Sequence, residues 1–203
     1  DRRAERVVDL VRTIQSGLVR ARTAEDIDEQ VCAAIVDTEP YAFAWVGEYD
    51  EDDGTVTPRA SAGFEAGYLE CIDVTADDSR TGRGPTGRAV GNRTVETVQN
   101  ISTAPEYEPW RAEALERSYR SSAAIPLLHD DTLYGVLNVY ADRTAAFDAK
   151  ERALLSELGE TIGHAYYRVR MQELYESQYR QLFEEAPGMV ALTRDTDDGP
   201  TIE

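Results

Sequence analysis

Three glycines in the segment 82–87 reproduce the G-x-G-x-x-G spacing that holds the pyrophosphate of a dinucleotide when it follows a buried strand. Here the preceding residues, 77–80, are Asp-Asp-Ser-Arg, which are polar rather than apolar. Pro85 suits the first turn of a helix, where the N–H that it lacks has no partner in any case. We therefore interpret the segment as a structural turn followed by a short helix over 86–90.

Side chains that bind metals or act as nucleophiles are few in this chain. The two histidines, His129 and His164, cannot form a metal site without other ligands, and Cys32 and Cys71 lie far apart without a metal-binding spacing. Neither Gly-x-Ser-x-Gly nor His-Glu-x-x-His occurs. We predict no catalytic residues and no metal site.

The charge of the chain indicates its environment. It has 39 acidic and 21 basic residues, a net charge of −18, and Lys150 as its one lysine. An acidic surface poor in lysine is typical of halophilic proteins, since carboxylates hold water and cations and oppose aggregation. Nucleic-acid binding needs clustered Lys and Arg, so we predict no nucleic-acid contact by this piece.

The chain shows no sign of a membrane or secreted protein. No apolar run approaches the roughly 20 residues that span a bilayer, and no secretory signal is present. The two cysteines form no disulfide framework, which is typical of a reducing compartment. We predict a cytoplasmic protein, no membrane contact and, because the sequence starts without Met and stops in mid-pattern, a piece of a longer chain.

Amphipathic helices are predicted at both ends of the chain. One covers 3–20, a second follows Thr23 as its N-cap, and a third starts at Asp148 with heptad spacing of its apolar residues. The terminal helices could form a parallel homodimer or pack on the domain's own sheet. We expect both, with the ends of the helices in the dimer.

Strands are predicted between these helices. Residues 41–49 alternate, 55–60 return after a turn, and 94–98 form a short strand. Two apolar runs, 122–128 and 133–140, flank the turn 129–132 and predict a β-hairpin. Between the short strand and the hairpin, 109–119 is predicted to be helical.

The hairpin, with Pro-Leu-Leu in its first strand and Tyr-Gly-Val-Leu in its second, resembles the central hairpin of a GAF domain. The segment 81–90 resembles the Gly-rich turn and short helix that GAF domains carry before it. This resemblance covers 23–167. It implies an α/β fold of the α+β kind: a central antiparallel sheet of five or six strands, helices on both faces and long terminal helices.

The resemblance also implies a ligand pocket between one sheet face and the segment that joins the Gly-rich helix to the hairpin. Asn138, polar within an apolar strand, needs a hydrogen-bond partner if it is buried, and a ligand could provide one. The predicted ligand-binding residues are Phe43, Trp45, Tyr107, Trp110, Arg111, Ser122, Ala124 and Asn138. They suit a small, flat or amphipathic metabolite, or they fill the core of a domain that only dimerises.

Family motifs for particular cofactors are missing. Covalent bilin attachment in such domains uses Cys-His or Asp-x-Cys-Phe, whereas Cys71 precedes Ile72 and Cys32 precedes Ala33. A haem role is not expected for either histidine, and the Asn-Lys-x-Asp motif of cyclic-nucleotide GAF domains is absent. The cofactor is therefore left unknown.

The segment 179–190 resembles the opening of a PAS domain, where a helix with Leu-Phe and then Ala-Pro leads into a strand, here 189–193. The predicted organisation is a dimerisation helix (1–22), the GAF domain (23–167), a linker helix (168–178) and the truncated start of a PAS domain (179–203).

The GAF–PAS order, the acidic composition and the segments 108–111 and 120–124 resemble GAF domains of haloarchaeal regulators of the bacterio-opsin-activator type. This implies a non-catalytic sensory and dimerisation module of a transcriptional regulator. One alternative is the input domain of a sensory histidine kinase. Another is a GAF-fold enzyme such as a methionine sulfoxide reductase, a class that places several cysteines round its pocket and that Cys32 and Cys71 fit poorly.

Overall fold

The computed structural model describes residues 2–184. The helices are α1 (Arg2–Leu18), α2 (Ala24–Val36), α3 (Tyr68–Cys71), α4 (Pro85–Asn92), a 3-10 helix (Pro105–Trp110), α5 (Arg111–Glu116) and α6 (Ala149–Glu184). The strands are β1 (Tyr41–Tyr49), β2 (Val56–Gly63), β3 (Glu96–Val98), β4 (Ser121–His129) and β5 (Thr132–Ala141).

The strands form one antiparallel sheet in the order β2-β1-β5-β4-β3. The β4–β5 hairpin turns where His129 pairs with Thr132, and Asp130 adopts a φ of 50°, which Asp tolerates better than most residues. The predicted hairpin and the predicted five- or six-stranded sheet with helices on both faces are confirmed.

Three long helices, α1, α2 and α6, cover one side of the sheet, which we call the helix side. Its core is mainly aliphatic. Thr23 caps α2 in the predicted way, since its side chain accepts from the Asp26 N–H while the Asp26 carboxylate accepts from the Thr23 N–H. A Cβ at Gly159 or Gly163 would collide with the backbone of β4, so these glycines let α6 lie directly on that strand.

One buried polar network lies on the helix side. The Arg59 guanidinium donates to both carboxylate oxygens of Asp28, at 3.0 and 3.1 Å, and to the Tyr134 carbonyl at 2.9 Å. The Tyr166 hydroxyl contacts both Arg59 and Asp28. The network thus joins α2, β2, β5 and α6.

Short segments cover the other side of the sheet, which we call the cover side. They are α3, α4, the 3-10 helix and α5. The segment 109–119, predicted to be helical, is helical over 109–116: the 3-10 helix, with Pro105 and Pro109, leads into α5, and Ser118 follows α5 with a φ of 64°. Prolines lack the N–H that a continuous α-helix needs.

The terminal helices pack on the domain's own core, which is one of the two arrangements expected above. Leu10, Ile14 and Leu18 of α1 are buried in the domain's own core. Helix α6 continues without a break through the predicted linker 168–178 to Glu184, and the predicted strand 189–193 lies outside the described residues. Within 2–184, none of the helices combines the length and apolar character needed to cross a bilayer.

Candidate functional site

Alternation along three neighbouring strands places one set of side chains under the cover side. These residues are Phe43 and Trp45 of β1, Ser122 and Ala124 of β4, and Val136, Asn138 and Tyr140 of β5. Tyr107 and Trp110 of the 3-10 helix lie against them. The structure therefore brings together seven of the eight predicted site residues, and we call this cluster, with Tyr68, Thr86 and Tyr119, the aromatic site.

The rings of the aromatic site pack against one another. Phe43 lies 5.6 Å from Tyr119 and 5.3 Å from Tyr140, measured between ring centroids. Tyr68 meets Tyr140 edge-on at 5.5 Å. Because these rings are almost fully buried, the side chains themselves occupy the space that a ligand would enter.

Hydroxyl, amide and indole groups lie within this apolar setting. The Trp45 indole N–H donates to the Tyr140 hydroxyl at 3.0 Å, and the Tyr68 and Tyr107 hydroxyls are 3.1 Å apart. Asn138 has the partner that its burial requires, since its Oδ1 accepts from the Thr86 hydroxyl at 2.7 Å. Its amide also donates to the Val136 carbonyl at 3.3 Å.

Ser122 has no such partner among residues 2–184. The residue is 3% exposed, and its hydroxyl makes no hydrogen bond of normal geometry with the described groups, although it lies close enough to the Tyr107 phenol to influence the pKa of that group. A buried hydroxyl without a partner loses its bond to water and gains nothing in exchange. This atom is therefore an unused hydrogen-bonding group inside the aromatic site.

Burial raises the pKa of Tyr68, Tyr107 and Tyr140, because an ionised phenolate would lose its hydration there. The three phenols stay protonated at neutral pH. The aromatic site therefore offers flat apolar walls and neutral hydroxyl groups, which can both donate and accept hydrogen bonds.

Backbone contacts hold the 3-10 helix over the site. The Trp110 indole N–H donates to the Asp73 carbonyl at 2.8 Å. The guanidinium of Arg111, the eighth predicted residue, donates to the carbonyls of Ile101 at 3.1 Å and Ala104 at 2.6 Å. Arg111 thus fastens the cover at the margin of the site rather than lining it.

A cleft of about 340 Å³ lies on the outer face of the same 3-10 helix. Arg80 pairs with Glu108 across it, and Arg88 lies 3.7 Å from Glu106. These ion pairs join the Gly-rich segment and α4 to the 3-10 helix. On its outer face, the 3-10 helix is therefore held by exposed or half-exposed ion pairs, which contribute little to stability.

The glycines of the G-x-G-x-x-G segment serve packing. A Cβ on Gly82 would collide with Asp77, and one on Gly87 with the carbonyl of Gly82. Helix α4 starts at Pro85, as predicted. The structural interpretation of this segment is confirmed.

Five members of the aromatic site were not among the predicted residues: Val136, Tyr140, Tyr68, Thr86 and Tyr119. Tyr140 shares the alternation of Asn138 in β5, but Tyr68, Thr86 and Tyr119 lie in short or irregular segments where no strand period assigns a face. Alternation along strands carries no information about such segments. Only their aromatic or hydroxyl character could have indicated them.

Within the described part of the chain, no group of three or more His, Cys, Asp or Glu side chains is arranged to hold a metal ion. Cys32 is buried on the helix side, where burial raises the pKa of its thiol to about 12. Cys71 is exposed at the end of α3, on the cover side.

Two curated haloarchaeal proteins are similar to this chain. The bacterioopsin transcriptional activator of Halobacterium salinarum is 29% identical over 164 residues, which cover 80% of this chain and 23% of that protein. A Haloferax volcanii protein named for a proposed role as a transcriptional regulator is 27% identical over 172 residues, which cover 85% of this chain and 28% of that protein. The chain thus spans about a quarter of the length of these relatives.

Solved structures share the fold at low identity. The free methionine-R-sulfoxide reductase of Neisseria meningitidis superposes with a TM-score of 0.70 at 19% identity, covering 85% of this chain and 94% of that one. The GAF domain of a phosphoenolpyruvate-protein phosphotransferase from Coxiella burnetii superposes with a TM-score of 0.69 at 18% identity, covering 84% of this chain and 98% of that one.

The model of the GAF domain family matches residues 21–165, which is most of the chain and nearly the range predicted from the hairpin and the Gly-rich segment. The sheet order, the short cover segments and the long terminal helices agree with that match. The chain belongs to the GAF domain family.

Proposed function

We propose that this domain is a non-catalytic sensor that binds a small, flat or amphipathic metabolite in the aromatic site and controls a haloarchaeal transcriptional regulator. The observation that carries the proposal is the partnerless buried hydroxyl of Ser122 among neutral phenols. A ligand with one polar group would satisfy it. The two haloarchaeal relatives support the regulatory setting, which we place in the cytoplasm.

Entry of a ligand requires the rings to separate, because they are in mutual contact. We expect the 3-10 helix to move, because the Arg80–Glu108 and Arg88–Glu106 ion pairs on its outer face are exposed or half-exposed and weak. Its hydrogen bonds to the Asp73, Ile101 and Ala104 carbonyls would have to shift with it. Movement of the Tyr140 ring on β5 would alter the packing of that strand against α6 on the helix side. The ligand signal would thus reach the C-terminal helix.

The test is mass spectrometry of small molecules extracted from protein purified in molar salt, beside a mock extract. We expect one stoichiometric compound in the unmodified protein and none in Ser122→Ala. Ser121→Ala, which changes the neighbouring serine of β4, is the matched control and should keep the compound. An extract without a bound compound, together with no stabilising compound in a thermal-shift screen of metabolites, would contradict the sensor and favour a filled core.

Homodimerisation through α6 belongs to the same proposal. Beyond Val169 the helix exposes apolar side chains without a covering element among the described residues: Met171, Leu174, Tyr175, Tyr179, Leu182 and Phe183. We expect Tyr175→Glu to shift the protein from dimer to monomer in light scattering. Ser177→Glu adds the same charge at a polar position and should not, and a monomeric unmodified protein would refute this part.

The alternative output is a sensory histidine kinase. The GAF fold is compatible with both, as a domain of a Sinorhizobium meliloti protein named for a proposed role as a two-component sensor histidine kinase superposes with a TM-score of 0.57 at 18% identity. The similarity of this chain to the two regulators favours transcription. A helix-turn-helix domain or a kinase ATP-binding domain at the C-terminus of the full-length protein would separate the two.

An enzyme of the methionine sulfoxide reductase kind is the other class. Its fold is shared, but the two thiols of this chain lie on opposite sides of the sheet, with Cys32 in the helix-side core and Cys71 on α3. They cannot meet to form the disulfide that a two-thiol reduction would produce. Sulfoxide reduction that is lost in Cys71→Ser would overturn the non-catalytic proposal.

A further inference from the structure

The two histidines of the chain meet beside the tip of the central hairpin. His129 ends β4 and His164 lies on α6, and their Nδ1 atoms are 3.4 Å apart. They lie 35 positions apart in the chain, so the sequence alone does not bring them together. The His129 side chain is 24% exposed, and the Tyr167 ring stacks on it at a centroid distance of 4.3 Å.

The distance between the two Nδ1 atoms is informative. A neutral imidazole carries its proton on one nitrogen and accepts with the other, so a shared proton would give an N–H···N contact of about 3.0 Å. Two nitrogens at about 2.0–2.1 Å from one tetrahedral cation lie about 3.3 Å apart. The observed 3.4 Å fits the spacing of two ligands on one cation, and it also fits a long N–H···N hydrogen bond between the rings.

The charged groups around the two histidines favour a cation between them. The Asp130 carboxylate, which is 90% exposed, lies 3.7 Å from Nε2 of His129, so it places a negative charge near that ring without a hydrogen bond. A cation between the two Nδ1 atoms needs the His129 tautomer that carries its proton on Nε2. Arg168, one turn along α6 from His164, directs its guanidinium away, to the Leu18 carbonyl of α1.

We propose that His129 and His164 together bind a divalent transition cation of the zinc and copper class between their Nδ1 atoms. Because the described residues supply no third protein ligand, water fills the remaining positions and the site is open and exchangeable. The net charge of −18 raises the cation concentration at the surface. The cation ties the hairpin tip to α6, and this inference does not rest on the proposed ligand of the aromatic site.

The test is a titration of the untagged chain with Zn²⁺ by calorimetry and with Co²⁺ by visible absorption, in molar salt without a chelating buffer. We expect one saturable site and a tetrahedral Co²⁺ spectrum. His164→Gln and His129→Gln should each abolish both. Asp130→Asn, which removes the carboxylate beside His129, should lower the affinity, and it keeps the turn because Asn also tolerates the φ of 50°.

The matched control is Asp131→Asn, which removes the same charge one residue further along the turn and should leave the affinity unchanged. A second readout is the melting temperature, which Zn²⁺ should raise in the unmodified protein but not in His164→Gln. Saturable binding that survives both histidine variants would assign the cation to surface carboxylates and overturn the proposal. Absence of saturable binding in the unmodified protein would overturn it too.

Discussion

The two faces of the same three strands differ in composition and in how they are covered. Alternate residues of β1 send Ala44 and Val46 to the helix side and Phe43 and Trp45 to the cover side. The helix side is aliphatic, closed by three long helices and locked by a charged network around Arg59. The cover side is aromatic, rich in neutral hydroxyls and closed by short segments.

The difference shows how one sheet can combine stability with adaptability. Long helices bury a continuous stripe and are costly to displace, whereas short segments have low local stability and open first. Planar rings with polar tips can also exchange their contacts with each other for contacts with a flat ligand. We therefore expect substitutions on the helix side to lower mainly the free energy of unfolding. Substitutions on the cover side should lower it less and should weaken ligand binding more.

The largest effect is expected from Asp28→Asn on the helix side. The change leaves the Arg59 guanidinium, whose side chain is 23% exposed, without its carboxylate partner. We expect the free energy of unfolding to fall by about 3 kcal/mol, measured by urea denaturation in molar salt. Asp9→Asn, which removes an exposed partner of Arg12, is the control and should cause no measurable change. An equal fall in the free energy of unfolding in the two variants would show that the Arg59 network does not stabilise the helix side.

A smaller loss is expected from Tyr140→Phe on the cover side. The variant keeps the ring but leaves the buried Trp45 indole N–H without its acceptor. We expect about 1–2 kcal/mol of destabilisation in the same denaturation experiment. Tyr175→Phe, at an exposed position of α6, serves as the control. A loss larger than that of Asp28→Asn would reverse the ranking of the two faces.

Alkaline pH tests the cover side without a large change in packing. Burial raises the pKa of Tyr68, Tyr107 and Tyr140, so the folded protein holds these protons more tightly than the unfolded chain. The contribution of these three phenols to stability should therefore be constant below about pH 9 and fall as the pH rises through the ordinary tyrosine pKa of about 10. Urea titrations at increasing pH should show a shallower fall in Tyr68→Phe, by about one proton. An unchanged slope would mean that the Tyr68 phenol is not buried in solution.

The smallest effect comes from two neighbouring serines. The buried Ser121 hydroxyl donates to the Arg143 carbonyl at 2.6 Å, whereas that of Ser122 makes no hydrogen bond. Ser121→Ala should cost about 1 kcal/mol, and Ser122→Ala should leave the free energy of unfolding unchanged or slightly raised. A loss in Ser122→Ala equal to that in Ser121→Ala would show that the Ser122 hydroxyl already has a partner in the protein.

Local patterns in the sequence predicted much of this architecture. Alternation along 41–49 and along the hairpin assigned the faces of Phe43, Trp45 and Asn138, and the Thr23 cap marked the start of α2. These features depend on neighbours in sequence. The hairpin and the Gly-rich segment then indicated the family.

The remaining contacts depend on residues that are far apart in the chain. Tyr68 meets Tyr107, and His129 meets His164, only because the fold brings separate segments together. Likewise, alternation grouped Ser122 with Ala124 on one face of β4, but it could not show which side the cover lies on, or that the Ser122 hydroxyl lacks a partner among residues 2–184. Contacts of this kind follow from tertiary packing, and no local periodicity in a single sequence indicates them.

The length of α6 has a mechanical consequence. Its packed part ends near Val169, and residues 170–184 extend as exposed helix for about 22 Å at 1.5 Å per residue. This arm acts as a lever with its pivot on β4, where Gly159 and Gly163 sit directly on the strand. A tilt of roughly 4° at Gly163 displaces Glu184, which lies about 32 Å further along α6, by roughly 2 Å. Shifts of this size switch subunit interfaces.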